Sequence, residues 1–497
     1  MHSNDRWLQA WKKHWLDIFS AGIAFFTSAS LYFFTSIRFP NDDQFILYRY
    51  IDHIANGNGF VWNYGEKVLG ATTPLFTLVC ALAKVIFHGI QTPTLVACVN
   101  ILLLTASAVY FAKISRRFLP VKWTIVALLV FALNLSRAIP EGMETPLFLL
   151  TIFIFLEALF ERRFVISSVF LSLSVLTRPD AALVAVLAAL HWWHEVGIKR
   201  AMKLSLLSLA IASPWLIFAT WYFGNFVPQS LLTKMHTNAI VDQSRLQGFK
   251  VQAASLSRIF WGRIFDPDNL LLQSLLNLLP ALGLVALGMY KSIARQNWIL
   301  FAIPFAYFIS FSLSNPVIFP WYWSQMEPFW ILLACLGCWE IDKKLKSRVL
   351  KTILVLALLV GPFYLWSEKI TTEGETTKAS LFEASQYLKR NAGANDTIGI
   401  SNIGIVGYEV DGKIIDFIGL VRNDSLKYYP IKDDCPRSGQ LYTIPPEMIK
   451  DVRPTWIVAG EKELQSCFAA SDWFKRHYVL AEKIRNGLNI WKYTGAD

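Results

Sequence analysis

Long apolar blocks, separated by short loops, run through this chain from about residue 16 to residue 367. Many of these blocks approach the roughly 20 residues that a helix needs to cross a bilayer. Because 54% of the 497 residues are hydrophobic and the mean hydropathy is +0.39, an ordinary soluble protein is excluded. Beyond residue 367 the composition becomes mixed. We therefore predict a polytopic α-helical membrane domain over 1–367 and an external α/β domain over 368–497.

The blocks predict about eleven transmembrane helices. Residues 73–89 form a short block that carries Lys84 and His88, so we place this block along the outer interface instead of across the membrane. Every basic loop then lies on one side, which the positive-inside rule identifies as cytoplasmic. The basic loops also account for the net charge of +11 without nucleic acid. The predicted spans lie near 16–37, 93–112, 123–139, 146–160, 164–177, 181–194, 204–223, 269–290, 297–313, 326–341 and 351–367.

This arrangement predicts a multi-pass membrane protein whose N-terminus is cytoplasmic and whose C-terminal domain is external. Unusual polar residues then gather on the outer face. The outer-face loop, residues 38–92, presents Asp42 and Asp43 side by side, and later loops carry Glu144 and Arg178. Such clustering indicates an active site that opens to the outer leaflet. A transporter would instead place ionisable groups near the midplane, on broken helices in internal repeats, and this sequence does not show that pattern.

The two adjacent acids should differ in role. If residues 42–55 form a helix, Asp42, Arg49 and His53 lie within about 20° of one line along it. Asp43 is turned about 100° away, towards an apolar face. The alternative for Asp42 is a cap on this helix, since carboxylates suit a first turn. A cap alone would not explain the second acid.

Five segments occur in a characteristic order. They are "NDDQFILYRYIDHIANGNGFVWNYGEKVLGATTPLFTLVCAL", "EGMETPLFLL", "LTRPDAALVA", "NFVPQSLLTK" and "GIVGYEVDGKIIDFIGLV". Together they resemble the bacterial membrane glycosyltransferases related to the mycobacterial terminal arabinofuranosyltransferase, and the last segment resembles the strand-rich start of that family's external domain. The chain departs from the family pattern with Thr73 in place of Ser and Phe76 in place of Trp. It is also not rich in alanine, so the resemblance does not identify the sugar.

The resemblance implies a GT-C superfamily enzyme that uses a polyprenyl-phosphate sugar and carries acidic residues in its first external loop. Transfer requires a base for the acceptor hydroxyl, and a carboxylate can serve. Attack opposite the leaving phosphate would invert the anomeric centre. We predict Asp42 as the general base, with Asp43 supporting it or holding a cation.

A departing lipid phosphate requires cations, and arginine can grip it with two hydrogen bonds. We predict that Arg49, Arg178 and Lys234 bind the donor phosphate. Arg178 has an equally weighted alternative, a structural pair with Asp180. Two further residues of the long loop are weaker candidates, Gln229 and His236.

Glu144 is predicted to bind the donor or a metal ion, and its alternatives are a helix cap or a pair with Arg137. Carboxylates of this kind would suit Mg²⁺ or Mn²⁺, with Asp43 and Glu144 as ligands, although metal dependence stays open. The aromatic residues at 321–323 are more typical of an interfacial belt than of a sugar platform.

The leading hypothesis is an inverting glycosyltransferase whose acceptor is an envelope glycan, lipopolysaccharide or a glycolipid. The alternatives are a protein O-glycosyltransferase of the same fold and a transporter of lipid-linked sugars or polysaccharide. The C-terminal domain should alternate helices and strands. Its expected role is to bind the acceptor or to form a structural lid. In an oxidising periplasm Cys435 and Cys467 could form a disulfide.

Overall fold

The computed structural model divides into two compact units, each built from segments that are distant in sequence. The first unit comprises Met1–Ile37, Val96–Pro214 and Arg245–Thr372, and the second comprises Arg38–Leu95, Trp215–Ser244 and Glu373–Asp497. The second unit therefore combines the whole outer-face loop with the C-terminal domain. The residues that the structure describes are 2–36, 41–237, 256, 259–260, 271–294, 297–314, 322–371, 376–429, 431, 443–460 and 463–495.

Helices occupy all eleven predicted spans in the described part of the chain. Five of the described helices are long and apolar enough to cross a membrane by themselves, and others are shorter apolar helices. This pattern confirms a polytopic helical architecture. Up to residue 371 the helices are α1 (His2–Leu31), α2 (Asp42–Ala55), α3 (Pro74–Ile86), α4 (Thr92–Phe118), α5 (Val121–Leu135), α6 (Thr145–Phe160), α7 (Phe164–Thr177), α8 (Ala182–Val196), α9 (Ile198–Phe223), α10 (Gln229–Thr237), α11 (Leu271–Ala294), α12 (Ile299–Ser314), α13 (Glu327–Lys344) and α14 (Arg348–Thr371).

Within the first unit, α11 and α13 approach each other closely at two glycines. A Cβ on Gly288 would overlap the backbone carbonyl of Leu333, and a Cβ on Gly337 would overlap that of Leu284. Small residues let helix backbones pack tightly where lipid provides no hydrophobic drive for association. Around this contact α13 is almost entirely buried, so it forms the centre of the helical unit.

Helix α3 belongs to the second unit and fits the predicted interfacial position. It has 13 residues, which is short for a span. One side of it exposes apolar residues, namely Leu78, Leu82, Val85 and Ile86. Such an exposed apolar side suits contact with the membrane surface. The placement itself stays a prediction.

The C-terminal part of the second unit is an α/β domain with one five-stranded mixed sheet. Its strand order is β2-β1-β3-β5-β4, with β1 parallel to β2 and β3 and β5 antiparallel to β3 and β4. This confirms the predicted fold class. The elements are α15 (Thr376–Asn391), β1 (Thr397–Ile400), α16 (Ile403–Glu409), β2 (Lys413–Asp416), α17 (Pro446–Val452), β3 (Trp456–Gly460), α18 (Ser466–Ala469), α19 (Asp472–His477), β4 (Tyr478–Lys483) and β5 (Leu488–Tyr493).

The last of the five motif segments contains helix α16 (Ile403–Glu409) as well as strand β2. Two glycines of α16 lie in close contact with the outer-face loop. A Cβ on Gly404 would overlap the backbone of Asp42, and a Cβ on Gly407 would lie 2.7 Å from the ring of Trp62. The segment is thus shaped by close contact with the outer-face loop. In the same domain Cys467 is disulfide-bonded, and Cys435 lies outside the described residues.

Candidate functional site

Helix α2 begins with the two acids and spans Asp42–Ala55, as the sequence predicts. The carboxylate of Asp42 accepts hydrogen bonds from the backbone amides of Gly404 at 3.0 Å and Ile405 at 2.7 Å. These amides open α16, so Asp42 caps a helix other than its own. Asp42 and Asp43 are both half-buried. The side chain of Asp42 therefore joins the start of the outer-face loop to the C-terminal domain.

Arg49 lies on the same face of α2 and is buried. Its Nε donates to the carbonyl of Trp62 at 2.9 Å, and its other nitrogens donate to the carbonyls of Gly407 and of Gly412, the latter at 3.2 Å. The guanidinium also lies 5.0 Å from the Trp62 ring centroid. Burial lowers the pKa of Arg49 to about 10. These contacts favour a structural role over the predicted bond to the donor phosphate.

His53 completes the polar line of α2 and is also buried. Its Nδ1 lies 2.9 Å from the carbonyl oxygen of Val61, so Nδ1 carries the proton in this contact. Its ring stacks on Tyr64 with centroids 4.6 Å apart. Burial lowers the pKa of His53. The polar line of α2 is thus a packed face within the second unit.

Helix α10 carries Lys234 and belongs to the second unit. The backbone amide of Gln229 donates to the carbonyl of Leu69 at 2.8 Å, and the hydroxyl of Thr233 donates to the carbonyl of Gly419 at 2.6 Å. These bonds attach α10 to both the outer-face loop and the C-terminal domain. Lys234 is half-buried, and its contact with a phosphate stays a prediction. The side chain of His236 lies outside the part that the structure describes.

In the first unit, the structure brings Glu144 and Arg178 together. Arg178 is buried and pairs with Glu144 through Nη1. It also binds Asp180, through Nε at 3.1 Å and Nη2 at 2.8 Å. Arg137, the alternative partner of Glu144, instead pairs with Glu327 at 3.4 Å. The structural pair of Arg178 with Asp180 is therefore present, and Glu144 joins it.

Tyr322 and Gln325, in the segment that precedes α13, extend this group. Gln325 donates from Nε2 to Asp180 at 3.2 Å, and the guanidinium of Arg178 lies 5.3 Å from the ring centroid of Tyr322. We call Glu144, Arg178, Asp180, Tyr322 and Gln325 the Arg178 cluster. Burial opposes the charge on Arg178, but Asp180 and Glu144 outweigh it and raise the pKa of Arg178. The sequence analysis missed Gln325, because no motif marks this residue. It assigned Tyr322 to an interfacial aromatic belt. Trp321 lies outside the described residues.

A metal site receives no direct support. Within the ranges that the structure describes, no group of three or more His, Cys, Asp or Glu side chains could hold a metal ion. Asp43 and Glu144 belong to different compact units. Their predicted role as ligands of Mg²⁺ or Mn²⁺ stays a prediction.

Comparisons with known proteins show the fold. A family model described as a domain of unknown function, DUF8728, matches residues 368–495. No curated protein matches the chain in sequence. The archaeal oligosaccharyltransferase AglB from Archaeoglobus fulgidus, solved with an inhibitory peptide and a dolichol-phosphate, aligns with a TM-score of 0.58 and 12% identity over 98% of this chain and 75% of that chain.

ArnT from Cupriavidus metallidurans is similar over nearly the full length of both chains. Its complex with undecaprenyl phosphate aligns with a TM-score of 0.59 and 12% identity, over 97% of this chain and 98% of that chain. Its apo structure aligns with a TM-score of 0.57 and the same identity and coverage. At this identity the likeness shows the fold alone. The chain has the GT-C-like membrane fold with a C-terminal domain that contains a small mixed sheet.

Proposed function

We propose that this protein is an inverting glycosyltransferase that takes a sugar from a polyprenyl-phosphate donor. The observation that carries the proposal is the shared fold with two proteins whose structures hold a polyprenyl phosphate. AglB was solved with a dolichol-phosphate and ArnT with undecaprenyl phosphate. The five ordered motifs that resemble the arabinofuranosyltransferase-related enzymes add support from the sequence. We place the reaction at the outer face of the bacterial inner membrane, with a glycan, lipopolysaccharide or glycolipid acceptor.

In this proposal Asp42 removes the proton from the acceptor hydroxyl as the sugar leaves the lipid phosphate. A carboxylate has about four acceptor positions, so its two bonds to the amides of Gly404 and Ile405 do not prevent proton transfer. They hold the carboxylate in one orientation, which general-base catalysis requires. Asp43 supports this group or holds a cation, and Lys234 neutralises the leaving phosphate.

A second acceptor class has a specific observation in its favour. The AglB structure contains an inhibitory peptide, so a protein acceptor is compatible with this fold. Protein O-glycosylation is therefore the alternative proposal. Only the identity of the acceptor distinguishes it from transfer to a glycan or lipid.

The test is a transfer assay with purified protein in liposomes. The donors are undecaprenyl-phosphate hexoses and pentoses, and the acceptors are extracted envelope glycans and peptides. We expect product together with release of undecaprenyl phosphate. Asp42→Asn should slow turnover by about 10²–10⁴-fold, the usual effect of losing a general base. Asp43→Asn should also slow it, partly through weaker donor binding.

Asp424→Asn is the matched control, because the side chain of Asp424 is 73% exposed and should not affect turnover. Near-normal turnover in a folded Asp42→Asn protein would show that Asp42 is not the base and only caps α16. If both single variants and the double variant remained active, the mechanism would be wrong. Movement of the donor across the bilayer without any product would favour the transporter hypothesis.

A further inference from the structure

Buried polar atoms that lack a partner in the described chain lie within the Arg178 cluster and beside it. Within the described part of the chain, no hydrogen-bond partner is found for Glu144 Oε2, Gln325 Oε1 or the hydroxyl of Tyr307. The three side chains are only 2%, 1% and 1% exposed, respectively. Buried polar groups are normally paired because an unmade hydrogen bond is costly. Three such atoms around one cluster point to a bound ligand.

These atoms belong to one site within the first unit. Glu144 bonds to Arg178, Arg178 bonds to Asp180, and Asp180 accepts from Gln325. Tyr307, on α12, packs against Phe311 with ring centroids 5.8 Å apart, and Phe311 in turn lies 5.9 Å from the ring centroid of Tyr322. The site is thus built from the start of α6, the end of α7, one face of α12 and the residues that precede α13.

The unpaired atoms indicate the chemistry of the ligand. A carboxylate oxygen and an amide oxygen only accept hydrogen bonds, and a tyrosine hydroxyl can both accept and donate. Arg178 already binds two carboxylates, so Glu144, Arg178 and Asp180 together carry one negative charge. A phosphate would be repelled by that charge and would find few donors. Sugar hydroxyls would donate to the acceptors, and the ring of Tyr322 offers an apolar surface beside them.

We propose that the Arg178 cluster binds the hydroxyl groups of the sugar and does not bind the phosphate of its lipid carrier. This inference rests on the proposed function and makes it more specific. It replaces the predicted phosphate contact of Arg178 with a positioning role, in which Arg178 holds Glu144 and Asp180 in place. The recognised chemistry is a polyol with several hydroxyl donors.

The deciding variant is Tyr307→Phe, which removes only the unpaired hydroxyl and should leave thermal stability unchanged or slightly raised. Binding to the purified protein would be measured for bare undecaprenyl phosphate and for a panel of undecaprenyl-phosphate hexoses and pentoses. We expect the wild type to bind at least one sugar conjugate more tightly than the bare lipid. Tyr307→Phe should lower the affinity for that conjugate by about five- to tenfold, which is the scale of one hydrogen bond. The affinity for the bare lipid should not change.

Ser115→Ala is the matched control, because the Ser115 hydroxyl is also buried without a partner in the described chain. Ser115 is far from the cluster. Asn100, on the same helix, donates to the carbonyl of Met143, which is next to Glu144 in the chain. At a rise of 1.5 Å per residue, Ser115 lies about 22 Å from Asn100 along α4. Glu144→Gln is a second variant, in which the side chain keeps its size. It should also lower the affinity for the sugar conjugate and leave the affinity for the bare lipid unchanged.

The outcomes separate this inference from the proposed function. If Tyr307→Phe and Glu144→Gln bind every lipid as the wild type does, the cluster is structural and the inference is wrong. If both variants lose bare undecaprenyl phosphate, the cluster is a phosphate site and the inference is wrong while the proposed function stands. If the wild type binds neither the bare lipid nor any conjugate, the proposed function fails as well.

Discussion

The amide of Gly404 donates a hydrogen bond to the carboxylate of Asp42 at 3.0 Å, although 362 positions separate the two residues in the chain. The contact lies within the second compact unit and is reinforced by the amide of Ile405. An acid at the start of the outer-face loop is therefore oriented by the C-terminal domain. Substitutions in that domain should therefore change the orientation of the Asp42 carboxylate although Asp42 itself is unchanged.

Gly404→Ala tests this dependence. A Cβ at this position would overlap the backbone of Asp42, so the two segments must separate. We expect a loss of about 1–3 kcal/mol in the free energy of unfolding, the usual cost of overpacking, and a lower transfer rate. Gly393→Ala is the control, since its Cβ would meet no atom closer than 3.9 Å. Equal stability of the two variants in denaturant unfolding would contradict the close contact.

Arg49→Lys distinguishes a structural arginine from a phosphate ligand. A lysine keeps the charge but cannot reach three carbonyls with the fork geometry of a guanidinium. We expect a loss of about 1.5–3 kcal/mol in stability, measured by thermal or denaturant unfolding, with unchanged affinity for undecaprenyl phosphate. Arg390→Lys, at an exposed position of α15, should change neither. Full stability with weaker lipid binding would restore the phosphate role for Arg49.

His53 should make stability depend on pH. Burial lowers its pKa in the folded chain, so the unfolded chain binds more protons near and below the ordinary value of about 6.5. Stability then falls as the pH drops through this region. We expect His53→Asn, which keeps a donor for the carbonyl of Val61, to flatten the dependence between pH 5 and pH 7, about the range in which histidine titrates. His88→Gln, at an exposed position, should leave it intact; an unchanged slope in His53→Asn would assign the effect to other groups.

Topology is the remaining expectation that needs a direct measurement. The basic segment at 113–122 is predicted to be cytoplasmic and the C-terminal domain external. Reporter fusions at Arg117 and at Asp497 should therefore give opposite signals in a pair of enzymes that are active on opposite sides of the membrane. Identical signals would overturn the orientation and, with it, the outer-face assignment of Asp42.

Sequence periodicity predicted the helices well because apolar length and charge reflect the surrounding lipid directly. The same holds for α2 and for the alternation of helices and strands in the C-terminal domain, whose patterns are local. The burial of Arg49 could not be predicted in this way, because its partners Gly407 and Gly412 lie far along the chain. The pair of Glu144 with Arg178 was missed for the same reason: the sequence offered Arg137 and Asp180, which are nearer in sequence.

The second unit is assembled from three segments that the ribosome makes at widely different times. Residues 38–95 emerge early, whereas their partners beyond Glu373 emerge last. Until then the carboxylate of Asp42 and the guanidinium of Arg49 lack the backbone groups that they bind in the finished protein. A nascent or truncated chain thus displays an incomplete surface that chaperones and proteases can recognise. We therefore expect a chain shortened at its C-terminal domain to be degraded faster than the full-length chain.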